Sequence, residues 1–450
     1  MTDVNPDIND RFRRLPPEAD AALAVIERLA GAGHETYLVG GAVRNLALGL
    51  PPGDFDVATA ARPERIADLF PDTRFVGAAF GVTLVIEAGR AVEVATFRRE
   101  RAYLDGRHPE RIEFSDSPAQ DARRRDFTVN ALYLEPRSGE ILDTVGGLAD
   151  CRARILRTVG DAAERFGEDG LRLLRAARLA AACGLEVAPG TRKAMGDCRD
   201  MLGAVSAERI GQELAAMVTG PRPSKALGLL RETGLLGLFL PEIAALHGVE
   251  QPPDYHPEGD VWTHTMLMLD GVRQPDLALA LGVLLHDVGK PGAFRRSGGR
   301  IRFHGHETTG EEMARGILQR LRFPKEIVER VAWMVAQHMR FFDADRMRPA
   351  TLKRFVRQAH FPSLLELHRL DKVSADGDLI LHDLCRAQLD ADAAEPLSPT
   401  PLLGGADLLA LGVPAGPRVG ELLRALETLQ LEGRLQDAEA ARRWVREQLD

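Results

Sequence analysis

The sequence predicts an α+β chain, in which a mixed unit of strands and helices is followed by units built from helices alone. Two observations carry this. Before Gly147, short β-branched runs are cut by glycine turns. After Cys151, alanine and leucine recur at helical spacing and strand signals become few. A chain of 450 residues has room for about three domains.

The elements follow in order. Residues 19–31 have the pattern of an amphipathic helix, and 35–39 read as a strand. A glycine pair and a second helix come next, then strands at 54–58, 75–77, 81–88 and 91–97. Past the change in composition, helices are expected at 167–183, 206–219 and 224–233. A proline-rich stretch at 251–257 marks a boundary, and a histidine-rich helical region runs to about 388. Residues 390–401 have the composition of a linker, before a last amphipathic helical tail. Domains are therefore expected at 1–148, 149–250, 251–390 and 391–450, with no internal repeat.

Composition excludes several classes. A hydrophobic fraction of 45% with 28% charged residues rules out collagen-like, coiled-coil-only and wholly disordered chains. The longest clean apolar run, 277–285, is far shorter than a membrane helix needs, so no membrane partner is expected. Residues 1–20 are polar and proline-dotted, unlike a signal peptide or an anchor. The 4 cysteines lie far apart with no CxxC pair, which argues against a disulfide framework and points to a reducing cytoplasm. A net charge of −8 argues against bulk attraction to nucleic acid but not against a local basic surface.

The first chemical constellation is Gly40-Gly41 followed by Arg44, with Asp54-Phe55-Asp56 beyond. Two glycines after a strand let the backbone approach phosphate and open a helix whose amides attract anions. In a strand, Asp54 and Asp56 share one face while Phe55 packs behind. Carboxylates so spaced can hold two Mg²⁺ ions, one activating an attacking hydroxyl and one steadying a leaving pyrophosphate. Glu93, in the alternation Val92-Glu93-Val94, is the candidate third carboxylate.

A second motif, Arg124-Arg125-Asp126-Phe127-Thr128-Val129-Asn130-Ala131, offers arginines for phosphate, with Asp126 and Asn130 one helical turn apart to meet ribose hydroxyls. A third, Glu168-Asp169-Gly170-Leu171-Arg172 through Arg175, reads as a helix with Asp169 and Arg172 on one side. An intrahelical ion pair is the simpler reading of that spacing.

Taken together these motifs resemble the class II tRNA nucleotidyltransferases and bacterial poly(A) polymerases of the polymerase-β-like superfamily, over nearly the whole chain. The resemblance implies a polymerase-β-like head and an all-α neck. It assigns catalysis to Asp54, Asp56 and Glu93, with Mg²⁺ on Asp54 and Asp56. Nucleotide binding would fall to Gly40, Gly41, Arg44, Arg124, Asp126 and Asn130. Asp169 and Arg172 would act as a protein template for the base, with Arg175 adding a contact: a carboxylate accepts from the amine of C or A, and a guanidinium donates to ring acceptors. Asp143 with Gly146-Gly147 is similar to the hinge between head and neck. Residues 98–109, including Tyr103, Asp105 and Arg107, resemble the flexible loop that CC-adding enzymes lack. Asn45 departs from the family, which usually has Asp there.

The second constellation comprises His264, His286-Asp287 and Asp371, in the order seen in HD-domain phosphohydrolases. Imidazoles and carboxylates from separate helices are how a bundle builds a divalent-metal site. Lys290, four residues after His286, would share its helix side, and His304, His306 and His338 are further candidate ligands. The resemblance implies an HD-type helical bundle and helical tail after the neck, with phosphohydrolase activity toward RNA ends. The whole implies an enzyme adding CCA, or the final A where a separate CC-adding enzyme supplies the rest, to tRNA from CTP and ATP. A poly(A) polymerase, and an HD phosphohydrolase with a non-catalytic RNA-binding head, are the alternatives.

Overall fold

The glycine-cut runs of the first 150 residues form one seven-stranded sheet in a computed structural model that describes residues 6–75, 81–103, 109–273, 276–392 and 400–449. In chain order its strands are β1 (Thr36–Val39), β2 (Asp56–Thr59), β3 (Thr73–Phe75), β4 (Val82–Glu87) and β5 (Arg90–Thr96). A separate hairpin, β6 (Arg98–Tyr103) with β7 (Pro109–Phe114), precedes β8 (Leu132–Glu135) and β9 (Glu140–Asp143). The sheet order is β3-β4-β5-β2-β1-β8-β9, antiparallel throughout except for the parallel pair β2–β5. Leu38, Val57 and Val94 are buried in one row across it. Val39, Ala58 and Tyr133 point the other way and cluster with Phe97, Ala122, Ala131 and Val159.

Where a loop was expected at 98–109, the chain forms the β6–β7 hairpin; Asp105 and Arg107 lie outside the described residues. The expected strand at 75–77 is β3, displaced toward Thr73, and residues 76 and 77 lie outside the described residues.

The chain divides into two compact units, Met1–Ala244 and Ala245–Asp450. The first adds to the sheet the helices Ala162–Glu168, Leu171–Cys183, Ala207–Val218 and Pro223–Glu232. Two-residue strands β10 (Ile155–Leu156) and β11 (Glu186–Val187) pair in parallel among them.

The second unit is built on helices Val261–Gly271, Leu277–Leu285, His306–Arg320, Lys325–Gln337 and Phe361–Ser374. Asp260 and Asp276 start the first two by accepting from the Thr263 and Ala278 amides at 2.8 and 2.9 Å. The run 278–285 is buried throughout, which explains its unbroken apolarity: it is a core helix. The histidine-rich region also holds a short hairpin that the sequence pattern did not suggest, β12 (Arg295–Ser297) with β13 (Arg300–Arg302). The tail carries a small core of its own around Leu408, Leu422, Leu426 and Val445. Among the described residues no helix is long and apolar enough to cross a membrane.

Candidate functional site

Strand β1 delivers the glycine pair. Gly40 has φ +75°, a conformation L side chains rarely adopt, and a Cβ on it would stand 3.4 Å from Asp56 Oδ2. The helix Gly41–Leu48 starts immediately after. Because Val57 lies opposite Val94 in the parallel pair, Glu93 falls beside Asp56 on the same face. Asp54 lies ahead of β2 rather than within it, yet Phe55 is still buried between the two exposed-side aspartates. Asp56 feels its neighbours. Burial, then Glu93, then Asp54 push the Asp56 carboxyl up to about 7, against the pull of Arg125. Asp56 and Glu93 on one sheet face, with Asp54 just ahead of the strand, are hard oxygen donors of the kind a divalent cation such as Mg²⁺ takes.

Next to them the motif at 124–130 forms a bonded network. Asp121, 1% exposed, accepts from Arg124 Nε (2.7 Å), Arg125 Nη2 (3.2 Å) and the Tyr133 hydroxyl (2.5 Å). Burial raises its pKa, but Arg124 and Arg125 win and hold it at about 2. Arg44 donates to Asn130 Oδ1 (2.7 Å), Asn130 to Asp126 Oδ1 (3.0 Å), and Arg175 to Asp126 Oδ2 through both Nε (3.0 Å) and Nη2 (2.7 Å). Asp126 and Asn130 do meet, through a 3₁₀ turn at Thr128–Asn130 rather than a full helix. Asn45 accepts from Arg44 Nε and Nη2 at 3.0 and 2.9 Å, so it still orients that arginine without a charge. Asp143 accepts from the amides of Val145, Gly146, Gly147 and Leu148, capping the helix Gly147–Ala153.

The segment 167–183 is not one helix. Asp169 is extended (φ −152°, ψ 105°) between helices Ala162–Glu168 and Leu171–Cys183, and its carboxylate accepts from the Leu171 amide at 3.0 Å. Asp169 and Arg172 therefore do not pair along a helix. Arg209 donates to both Asp169 carboxylate oxygens, Nη1 to Oδ1 at 3.2 Å and Nη2 to Oδ2 at 2.7 Å, while Arg172 donates to Glu168 at 2.5 Å.

In the second unit the histidines and aspartates converge. His264 Nε2 lies 3.0 Å from Asp371 Oδ1, His286 Nε2 3.0 Å from Asp287 Oδ2, and His306 Nε2 3.4 Å from Asp287 Oδ1. His338 Nε2 is 3.1 Å from His306 Nε2. The Nδ1 atoms of His286, His306 and His338 sit 2.6–2.8 Å from the carbonyls of Val283, Phe303 and Val335. A carbonyl cannot donate, so each Nδ1 carries the proton and each Nε2 turns a bare lone pair inward. Two imidazole lone pairs facing each other at that distance repel unless a cation, a proton or a metal ion, lies between them. Burial, chiefly, pushes His338 down to about 3, which disfavours a second proton, on Nε2. His264 Nε2 and His286 Nε2 are buried without a well-aligned hydrogen bond. This donor set fits a divalent metal, in two groups that share Asp287: one with His264 and His286, one with His306 and His338.

Burial opposes charge on His264, but Asp371 and Glu258 lift it to about 9. Lys290 opens the next helix turn and sits 2.7 Å from Asp287 Oδ2, instead of sharing a helix side with His286. His304 is exposed on the lip of the cavity.

Comparison with known proteins now places the chain. Residues 36–157 match the Poly A polymerase head domain, 184–246 the probable RNA and SrmB-binding site of polymerase A, and 259–376 the HD domain. A CC-adding tRNA nucleotidyltransferase of Thermus thermophilus is 36% identical over 425 residues, 91% of this chain and 93% of that protein. The chain belongs to the tRNA nucleotidyltransferase family. A CCA-adding enzyme of Anoxybacillus flavithermus is 44% identical over 237 residues, so the match spans little more than half of each protein, 53% of this chain and 57% of that one. The solved structure of the Bacillus stearothermophilus CCA-adding enzyme in complex with CTP superposes with TM-score 0.76 at 27% identity, over 97% of this chain and 98% of that one.

Sequence reasoning missed Asp121, Arg209 and Glu258, and it offered Arg125 to phosphate where the structure sets it against Asp121 and Tyr133. Asp121 carried a faint signal, an acid three and four residues before two arginines. Arg209 carried none, because its partner Asp169 lies forty residues away on another element, whereas Glu258 stood close in sequence to both its partners, His256 and His264.

Proposed function

We propose that the chain is a template-independent nucleotidyltransferase that extends tRNA 3′ ends from CTP and ATP. The observation that carries it is Asp56 next to Gly40 and beside Glu93 on one sheet face, with Asp54 just ahead of the strand and the Asp56 carboxyl pushed up to about 7 by burial first, then by Glu93 and Asp54. In the reaction the tRNA 3′-oxygen bonds to the α-phosphorus, the bond to the β-phosphate oxygen breaks, and pyrophosphate leaves. Mg²⁺ held by Asp54 and Asp56, with Glu93 beside them, would supply charge stabilisation for that exchange. The Gly40–Gly41 turn and the helix start behind it would receive phosphate oxygens. Arg44, Arg124 and Arg175 lie within one network with Asp121, Asp126 and Asn130, so they are positioned before a triphosphate arrives. Asp169 and Arg172 would read the base edge after releasing Arg209 and Glu168.

The working division is head 1–148, neck 149–250, HD bundle 251–390 and tail 391–450. The HD bundle would hold a divalent metal and hydrolyse phosphate esters of RNA ends. A tRNA substrate and free cysteines, three of the four buried, fit a reducing cytoplasm.

A second reading, addition of the two C residues alone, is favoured by the full-length similarity to the Thermus CC-adding protein; the β6–β7 hairpin in the place of the family's flexible loop favours complete CCA addition. The test is transfer to tRNA transcripts ending at the discriminator base, at C and at CC, with labelled CTP or ATP, singly and mixed. Completion of CCA supports the first reading. Arrest after CC supports the second, A added only to the CC end makes a terminal-A enzyme, and long A tails on any RNA would make it a poly(A) polymerase. No transfer by any transcript would overturn the assignment.

A further inference from the structure

The hairpin of β12 and β13 carries three arginines on one face that no carboxylate among the described residues neutralises. Arg295 lies opposite Arg302, Arg296 opposite Ile301, and Ser297 opposite Arg300, joined by Gly298-Gly299. Period-two alternation puts Arg295, Arg300 and Arg302 on one face and Arg296 on the other. Arg296 is paired with Glu250. The other three are exposed and have no carboxylate partner among the described residues; Arg295 donates instead to the Phe294 carbonyl at 2.7 Å. Like charges directly opposite in a hairpin are unfavourable, and among the described residues no carboxylate relieves them on this face.

The hairpin leads into the metal cluster. Arg302, Phe303 and His304 line the same cavity of about 520 Å³ as His286 and Asp287, a volume that suits one nucleotide. Tyr255 and Phe342, 63% and 49% exposed, line it too and offer flat faces of the kind on which bases stack. Arg295 and Arg300 lie on the same hairpin face but outside the cavity lining. A lone mononucleotide seated in the cavity has no use for them, whereas a chain with a repeating negative backbone does.

We propose that the arginine face of this hairpin holds the backbone of a single-stranded RNA whose phosphorylated end enters the histidine–aspartate cavity. The proposal rests on reading that cavity as a phosphoester site, and its test separates the two. Full-length protein is given a hexaribonucleotide ending in a 3′-phosphate, with 4-thiouridine two nucleotides from that end, and is irradiated. A parallel arm measures phosphate release with Mn²⁺ from this oligonucleotide and from a 3′-phosphorylated mononucleotide. In that hydrolysis water oxygen bonds to phosphorus, the bond to the 3′-oxygen breaks, and the 3′-oxygen leaves as a hydroxyl.

The expected result is crosslinking to the peptide spanning 295–303. The double variant Arg295→Gln, Arg300→Gln should lower that yield at least fivefold and weaken oligonucleotide binding at least fivefold more than mononucleotide binding. The salt slope of binding should fall by about 1.4, two phosphate contacts at about 0.7 each. Crosslinks only outside 295–303, or a yield indifferent to the double variant, would overturn the proposal while mononucleotide hydrolysis kept the cavity reading alive. Crosslinking to the hairpin with no phosphate release from either substrate would keep the RNA track and overturn the phosphoester reading.

Discussion

Asp56 and Asp121 are two aspartates of one sheet unit with opposite electrostatics, and the difference lies in their neighbours. Burial raises both; Asp56 also meets Glu93 and Asp54, which raise it further, and its carboxyl reaches about 7. Asp121 faces Arg124 and Arg125 and falls to about 2. Replacing Asp56 with Asn keeps shape and removes a metal donor; nucleotide transfer should fall by a factor on the order of 10³ or more while circular dichroism stays unchanged. Retained transfer would refute the assignment of that carboxylate.

Asp121 predicts a pH dependence. Its folded pKa is depressed below the unfolded value of 3.8, so its contribution is present above that value and is lost as pH falls toward about 2. Asp121→Asn should cost about 2 kcal/mol at pH 7, a shift of between one and two pKa units at about 1.4 kcal/mol each. In urea titrations the gap between variant and wild type should close between pH 4 and pH 2. A constant gap would mean that hydrogen-bond geometry, not charge, holds the network.

At the scale of elements, the break at Asp169-Gly170 changes what the sequence period suggested. Apolar residues at 171, 173, 174, 176 and 177 continue a helical pattern, so one helix over 167–183 was the natural reading. Extended backbone at Asp169 instead frees its carboxylate from the helix surface and turns it toward Arg209 on the helix Ala207–Val218. The Asp-Gly pair inside the pattern was the legible warning. Asp169→Ala should relax the choice of C and A over G and U more than it weakens tRNA binding. Arg209→Ala, which removes the pair that Asp169 must release to meet the base, should lower the KM for CTP, because a charge-assisted interaction worth about 1.5–3 kcal/mol no longer competes. Single-turnover incorporation of each of the four nucleotides reads both effects, and unaltered discrimination in Asp169→Ala would end the template proposal.

For the whole molecule, the two units hold two different donor sets: carboxylates on a sheet face in Met1–Ala244, imidazoles and carboxylates among helices in Ala245–Asp450. Units with separate cores can melt separately. Calorimetry should then resolve two transitions. CTP with Mg²⁺ at a hundred times its dissociation constant should raise one by several degrees, since such binding contributes about 2.7 kcal/mol. Chelation of bound metal should lower the other, and Asp287→Ala, which removes the residue shared by both ligand groups, should abolish the response to chelator. A single transition moved equally by both treatments would show that the units are one cooperative body.

Much of this was written in the order of residues. The strand-glycine pattern, the spacing of Asp54 and Asp56, and the succession of His264, His286, Asp287 and Asp371 are local or ordinal features, and local features survive in a sequence because period and spacing encode them. What only the tertiary structure decided are the partnerships across distance. Glu93 lies beside Asp56 because a parallel pairing sets Val57 against Val94. Arg175 reaches Asp126 across 49 positions, and Asp371 reaches His264 across two helices. No spacing rule encodes such contacts, since they arise from how elements pack, and packing is set by the whole core rather than by any one segment.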